Sequence, residues 1–322
     1  MTSPAGKGGS ASPARLRAAV VGAGYLGTYH AEKYASADGC ELVAVADVDA
    51  ERAGALAARL GCRAVRDFRD LLGEIDCASV VVPTTHHDEV ASELLRADVD
   101  CLVEKPLAAS AARARRLVEI ARDRDRILQV GHLERFNPAL MRLARVLERP
   151  RFIECHRLAP FTPRGADVDV VRDLMIHDLD LIRLLVPGEV LSIEAVGVPV
   201  LTASPDIANA RLRFSSGCIA NVTASRVSVK RERKLRLFQT DMYVAIDLGE
   251  RSLRVCRRTS DERGRPDIVW EQTDLGASDA LGAEIAAFLA SVRTRARPAT
   301  TGDDAVAALA LCEQILGAME TE

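Results

Sequence analysis

LRAAVVGAGYLG, residues 16–27, decides the reading of this chain: an apolar run, then Gly22, Gly24 and Gly27, then a helix-forming stretch. Glycines at that spacing allow a tight turn to bring backbone N–H groups against a pyrophosphate at a helix N-terminus, with Tyr25 and Leu26 inside the turn. Twenty residues after Gly27, Asp47 closes a second apolar run, ELVAVAD. A carboxylate there accepts hydrogen bonds from a ribose 2′-hydroxyl and repels a 2′-phosphate, so NAD is the expected cofactor rather than NADP. Arg52 and Arg63 are the nearby residues able to modify that preference.

Outward from this turn, ASVVVP (78–83), DCLVEK (100–105) and ILQVG (127–131) continue the series of short β-rich runs, separated by Ala/Glu/Arg-rich helical stretches. That alternation predicts βαβ units and a doubly wound, mostly parallel sheet over residues 16–130. The runs are almost wholly apolar, as strands covered by helices on both faces must be. After Gly131 the pattern changes. Helices are expected around Pro138–Leu147 and Val171–Leu185, and ANARLRFSSGCIANVTASR (208–226) reads as a hairpin turning at Ser215–Gly217. KLRLFQTDMYVAIDL (234–248) and RSLRVCRR (251–258) repeat the theme, and two Ala-rich helices follow at 280–295 and 303–319. Residues 131–322 are therefore expected to form a mainly antiparallel α+β domain.

The bulk numbers exclude several classes of function. A net charge of −3 with 28% charged residues leaves no basic footprint for nucleic acid. No apolar run approaches the roughly 18–20 residues of a membrane span. The first 15 residues, MTSPAGKGGSASPAR, lack the apolar stretch of a secretory signal and read as a disordered tail. The eight cysteines are scattered, with no pair closer than 15 residues and no metal-type spacing. They read as reduced thiols, and a cytoplasmic location is expected.

Three segments carry candidate chemistry. ASVVVPTTHH (78–87) brings Pro83, Thr84, Thr85 and His86 to the carboxyl end of a strand, where they either line a cofactor cleft or serve as plain turn residues. VEKP (103–106) puts Glu104 and Lys105 at the same kind of strand end. An ammonium there favours a developing alkoxide, while the simpler reading is a solvated ion pair. In DLMIHDLD (173–180), Asp173, His177 and Asp180 fall at i, i+4 and i+7, so one helical face carries an imidazole between two carboxylates. A histidine so flanked is suited to removing an alcohol proton. The same spacing could ligate a divalent ion. No other ligand cluster accompanies it, and no metal is expected.

VVGAGYLG, Asp47, EKPLA and the D-x3-H-x2-D helix together resemble the Gfo/Idh/MocA oxidoreductases, over nearly the whole chain. The resemblance implies that Lys105 and His177 act on the reacting hydroxyl, with Asp173 holding His177 in the useful tautomer. It also implies an open sheet used for assembly, hence a homodimer or homotetramer. GHLERFNP (131–138) together with RDLMIHDLDL (172–181) is similar to the UDP-N-acetylglucosamine 3-dehydrogenase branch of that family, which implies a nucleotide sugar oxidised at C3 to a ketone. On that reading His132, Glu134, Arg135 and Asn137 lie near the sugar or nicotinamide, and Arg164 near the diphosphate. Asn137 as N-cap and Pro138 at the first helical position is an equally good local account of the same segment. An inositol or simple-sugar dehydrogenase is the alternative within the family, and a non-catalytic NAD-binding regulator the alternative outside it.

Overall fold

The computed structural model describes residues 15–143, 147–162, 168–261, 263–276 and 278–319. The tail expected at residues 1–15, Arg15 apart, and Arg164 lie outside the described residues.

The N-terminal half runs β1 (Leu16–Val21), α1 (Tyr25–Ser36), β2 (Cys40–Ala46), α2 (Ala50–Leu60), β3 (Arg63–Val65), β4 (Cys77–Val80), α3 (His87–Arg96), β5 (Asp100–Val103), α4 (Ala111–Asp123) and β6 (Leu128–Val130). All six strands are parallel, in the order β3-β2-β1-β4-β5-β6. Local chemistry sets the helix ends. Asp49 caps α2 by accepting from Arg52 N, and the helix stops at Gly61, whose φ of 70° suits glycine. Ser110 caps α4 in the same way. β3 was not legible in the sequence: it is three residues long, largely exposed, and offers no apolar run.

Register decides what happens at the sheet's carboxyl edge. Val21 pairs with Ala46 and with Val80, and Val80 pairs with Val103. The residues that follow each strand, Gly22, Asp47, Val81 and Glu104, therefore emerge side by side. The chain leaves β1 toward β2 and returns on its other side as β4, so a crevice opens between them at the point where the strand order reverses.

The second half begins with α5 (Pro138–Leu143), β7 (Phe152–Leu158) and α6 (Ile176–Leu185), the last preceded by a π-helical turn at Val171–Met175. There follow β8 (Val190–Val198), β9 (Ile207–Phe214), β10 (Ile219–Ser225), β11 (Glu232–Gln239), β12 (Met242–Asp247), β13 (Ser252–Ser260) and β14 (Pro266–Asp274). These eight strands form one sheet, β14-β13-β12-β11-β7-β10-β9-β8, antiparallel except for the β7–β10 pair. The expected hairpin is β9–β10, turning on Gly217 at φ 82°. Alternate residues of β9 and β10, including Leu212, Phe214, Ala220 and Val222, are buried. Helix α6 covers β7 and β10, and the final helix α8 (Gly302–Met319) packs against β8, α6 and α4.

Helix α7 (Ala280–Thr294) returns to the first half. Its Ile285, Phe288, Leu289 and Val292 are buried in one cluster with Val20, Tyr34, Leu42, Val45 and Leu102. Although it follows the second sheet in sequence, α7 closes one face of the parallel sheet.

Candidate active site

The crevice at the sheet's switch point opens into a cavity of about 1320 Å³, lined from one side by the β1, β2, β4 and β5 ends and from the other by β7, α6 and the segment entering β11. It exceeds the roughly 300–1,000 Å³ usual for a single small molecule, and so has room for two ligands.

The glycine turn is built for close approach. Gly22 has φ 106°, and a Cβ on it would meet Val81 O at 2.6 Å. A Cβ on Gly27 would sit 1.7 Å from Gly22 O, so this glycine lets α1 pack on the turn and does not itself line the cavity. Gly24 has nothing within 4 Å of its Cβ position, leaving its backbone open to a ligand at the start of α1. Asp47 ties this turn to β2: one oxygen accepts from Ala23 N at 2.7 Å and the other from Asp49 N at 2.9 Å. Carboxylate oxygens accept more than one hydrogen bond, so both can still receive ribose hydroxyls. Tyr25, Leu26, Pro83, Thr84 and His86 line the same end, whereas Thr85 is exposed and off the cavity. Arg52 lines it too, 3.9 Å from Asp47, while Arg63 is taken by Glu74 at 2.6 Å. These features fit a dinucleotide.

Deeper in, Lys105 Nζ donates to the backbone carbonyl of Asp173 at 2.7 Å and to its carboxylate at 3.3 Å. Two of the three ammonium protons are thereby used, and one is left for a ligand. His177 lines the cavity beside this pair. Burial, reinforced by the positive charges of Lys105 and Arg157, pushes its imidazole well below its ordinary pKa of 6.5. Neutral imidazole is the form able to take a proton. The carboxylate expected to orient His177 instead grips Lys105. Asp180, expected on the same face, is buried and holds Arg135 through two bonds of 2.6 and 2.8 Å. Among the described residues, no group of three His, Cys, Asp or Glu side chains is placed to hold a metal ion.

The GHLERFNP residues stand behind the cavity wall rather than on it. His132 is 2% exposed, with its Nδ1 3.8 Å from Asp180. Glu134 accepts from Arg157 at 3.0 Å. Arg135 is shared between Asp180 and Asp304. Asn137 caps α5 by accepting from Ala139 N at 3.0 Å, so the local account of this residue holds. None of these four lines the cavity; Glu134 and Arg135 are held in ion pairs with Arg157, Asp180 and Asp304 behind the helix and strand bearing His177 and Arg157.

Around the expected Glu104, several residues that were not singled out from sequence shape the site. Glu104 ends a buried chain in which Tyr34 bonds Ser79 (2.9 Å), Ser79 bonds His30 Nδ1 (3.0 Å) and His30 Nε2 bonds Glu104 (3.2 Å). Burial alone would raise the Glu104 carboxyl, but His30 and Lys105 hold it below its usual range. His87 rather than His86 joins the two cofactor-side loops, its ring nitrogens 2.8 Å from Pro106 O and Val82 O. Arg157, Arg226, Arg231 and Arg233 all reach the cavity from the second half. Their signal in sequence was only a high arginine content.

A switch-point crevice with this glycine turn, ribose-side carboxylate and Lys/His pair defines a dinucleotide-binding oxidoreductase. Residues 16–132 match the family described as oxidoreductase family, NAD-binding Rossmann fold, and residues 147–245 match the GFO/IDH/MocA C-terminal domain. The chain belongs to the Gfo/Idh/MocA family. It is 41% identical to the UDP-N-acetylglucosamine 3-dehydrogenase of Acidithiobacillus ferrooxidans over 279 residues, 86% of this chain and 88% of the relative. A solved structure of that enzyme superposes with a TM-score of 0.89 at 38% identity, covering 95% of this chain and 98% of the other. Inositol 2-dehydrogenase of Rhizobium meliloti is more distant, 27% identical over 92% of this chain and 95% of the relative.

Proposed function

We propose that this chain oxidises C3 of UDP-N-acetylglucosamine to a ketone with NAD as acceptor. The observation that carries the reading is the placement of Lys105, with its spare proton, and a neutral His177 together at the edge of the dinucleotide site. Bound NAD supplies the hydride acceptor. The turn at Gly22–Gly27 would hold its phosphates, and Asp47 would accept from the ribose hydroxyls and exclude a 2′-phosphate. His177 accepts the proton of the reacting hydroxyl. Lys105 donates to the same oxygen as negative charge develops on it, an interaction worth most in a site shielded from water. Asp173 holds Lys105 in place, and the His30–Glu104 contact fixes the strand end that presents it. The nucleotide-sugar substrate is supported by the 41% identity to a UDP-N-acetylglucosamine 3-dehydrogenase and by the size of the cavity.

The outer face of the eight-stranded sheet carries exposed Leu191, Val196, Val198, Ile268 and Trp270, which supports assembly of a homodimer or homotetramer through that face. No helix among the described residues is long and apolar enough to cross a membrane. Eight free cysteines, six of them buried, suit a reducing compartment and support a cytoplasmic reaction.

The test is NADH absorbance with purified protein, NAD and UDP-N-acetylglucosamine, run beside myo-inositol and glucose, with an aminotransferase and glutamate drawing off the ketone. Signal with the UDP-sugar alone is expected. Signal with inositol or glucose alone would retain the family chemistry and remove the substrate, and silence with all three would favour a regulator.

A further inference from the structure

Four arginines reach the cavity from the second half of the chain, and they are not equally committed. Arg157 is 3% exposed and bonds Asp178 twice at 2.9 Å and Glu134 at 3.0 Å. Arg226 is buried on Asp206 at 2.7 Å and also bonds Val168 O, Thr202 and Ser204. Those two are structural. Arg233 reaches a carboxylate only at 3.8 Å, and that carboxylate, Glu134, already serves Arg157. Arg231 is exposed, with no carboxylate within ion-pair distance among the described residues.

β11 pairs with β7 so that Arg233 stands directly opposite Arg157, and paired residues on neighbouring strands project to the same face. Like charges set opposite each other in this way are unfavourable unless something neutralises them. Arg233, its side chain 43% exposed, is held below its ordinary pKa by partial desolvation against the cavity wall and then by Arg157, with Arg231 adding to the effect. On the opposite side of the reacting centre, Lys105 is already balanced by Asp173. The four wall arginines face three partner carboxylates, Asp178, Glu134 and Asp206, so the second-half wall carries an excess of one positive charge, shared between Arg231 and the loosely held Arg233 two residues on. The cofactor phosphates have their own seat across the cavity, at the glycine turn.

We infer that Arg231 and Arg233 form the seat for the diphosphate of the substrate, with the sugar reaching from there to Lys105 and His177. The inference rests on the nucleotide-sugar reading above. Guanidinium groups bind phosphate oxygens bidentately, and two of them on one cavity wall suit two linked phosphates better than the single charge of a sugar carboxylate. Arg233 also lies close enough to His177 for its charge to act on that imidazole, which keeps the seat within reach of the reacting sugar.

The test compares wild type with Arg231→Ala, Arg233→Gln and the double variant in three assays: UDP binding by calorimetry, NAD binding by fluorescence, and steady-state kinetics with UDP-N-acetylglucosamine. Each single change should weaken UDP binding and raise KM by about tenfold or more, from loss of a charge-assisted contact, with kcat changing less. NAD affinity should be unchanged in all three. Arg231→Lys should recover part of the UDP affinity because it restores the charge but not the fork. Arg231 is exposed, so its replacement leaves folding intact even where the double variant does not fold. Wild-type-like UDP binding and KM in Arg231→Ala would overturn the seat while leaving the substrate assignment standing. If wild type does not oxidise UDP-N-acetylglucosamine yet binds UDP through Arg231, the seat stands and the sugar assignment falls.

Discussion

His177 concentrates the chemistry of the site in one titration. Burial, Lys105 and Arg157 all oppose its protonation, so it stays neutral just below pH 6.5, and the base role proposed for it would be lost only as pH falls through the depressed value. The acid limb of kcat/KM should therefore lie well below 6.5, and a limb at or above 6.5 would assign the base elsewhere. His177→Ala should lower kcat by about 10²–10⁴, the usual range for a general base, with NAD binding by fluorescence titration unchanged. The same shift has a stability consequence. The unfolded chain takes up this proton first, so the stability contributed by neutral His177 is complete above about pH 6.5 and declines as pH drops toward the folded value. His87 and His132 are lowered by burial as well and add to the decline with the same sign.

At the scale of the element, the segment from Val171 to Leu185 shows how a sequence period can place two residues well and misplace a third. Asp173 and His177 both reach the cavity, Asp173 from the π-helical turn and His177 from the first turn of α6. Asp180 is three residues past His177, turned about 60° around the helix, and that rotation carries it off the cavity to Arg135. Asp178 anchors the helix to β7 through Arg157 and stands beside His177 in the chain. Asp178→Asn would leave a buried guanidinium with Glu134 as its remaining partner. A loss of about 3 kcal/mol in denaturant unfolding is expected, the low end for a broken buried pair, with kcat falling as α6 loosens. Unfolding within 0.5 kcal/mol of wild type, roughly the effect of a neutral surface change, would mean the anchor is dispensable.

Across the whole molecule, α7 ties the end of the chain to the dinucleotide-binding half. Phe288 is fully buried among residues of β1, α1, β2 and β5. Phe288→Ala should cost about 3–5 kcal/mol and lower the melting temperature of the dinucleotide-binding half, because the cavity left behind cannot refill. A truncated residue 16–130 unit would lack this cover altogether. Equal melting temperatures for wild type and variant would show that α7 is not integral to that half.

The sequence alone determined what depends on neighbours in the chain. The glycine turn, Asp47 at a strand end, the Lys105 strand end, the β9–β10 hairpin and the two closing helices all follow from local periodicity and turn chemistry, which act over a few residues. Only the tertiary structure decided the pairings. Asp173 grips Lys105 across 68 residues of chain rather than His177 four residues away. The GHLERFNP charges turn to Asp180, Asp304 and Arg157 behind the wall. Of the two arginines entering β11, Arg233 reaches only a carboxylate that Arg157 already holds, and Arg231 has none within ion-pair distance among the described residues. Which charge meets which is set by strand register and helix rotation, and these are properties of the packed molecule that no local pattern contains.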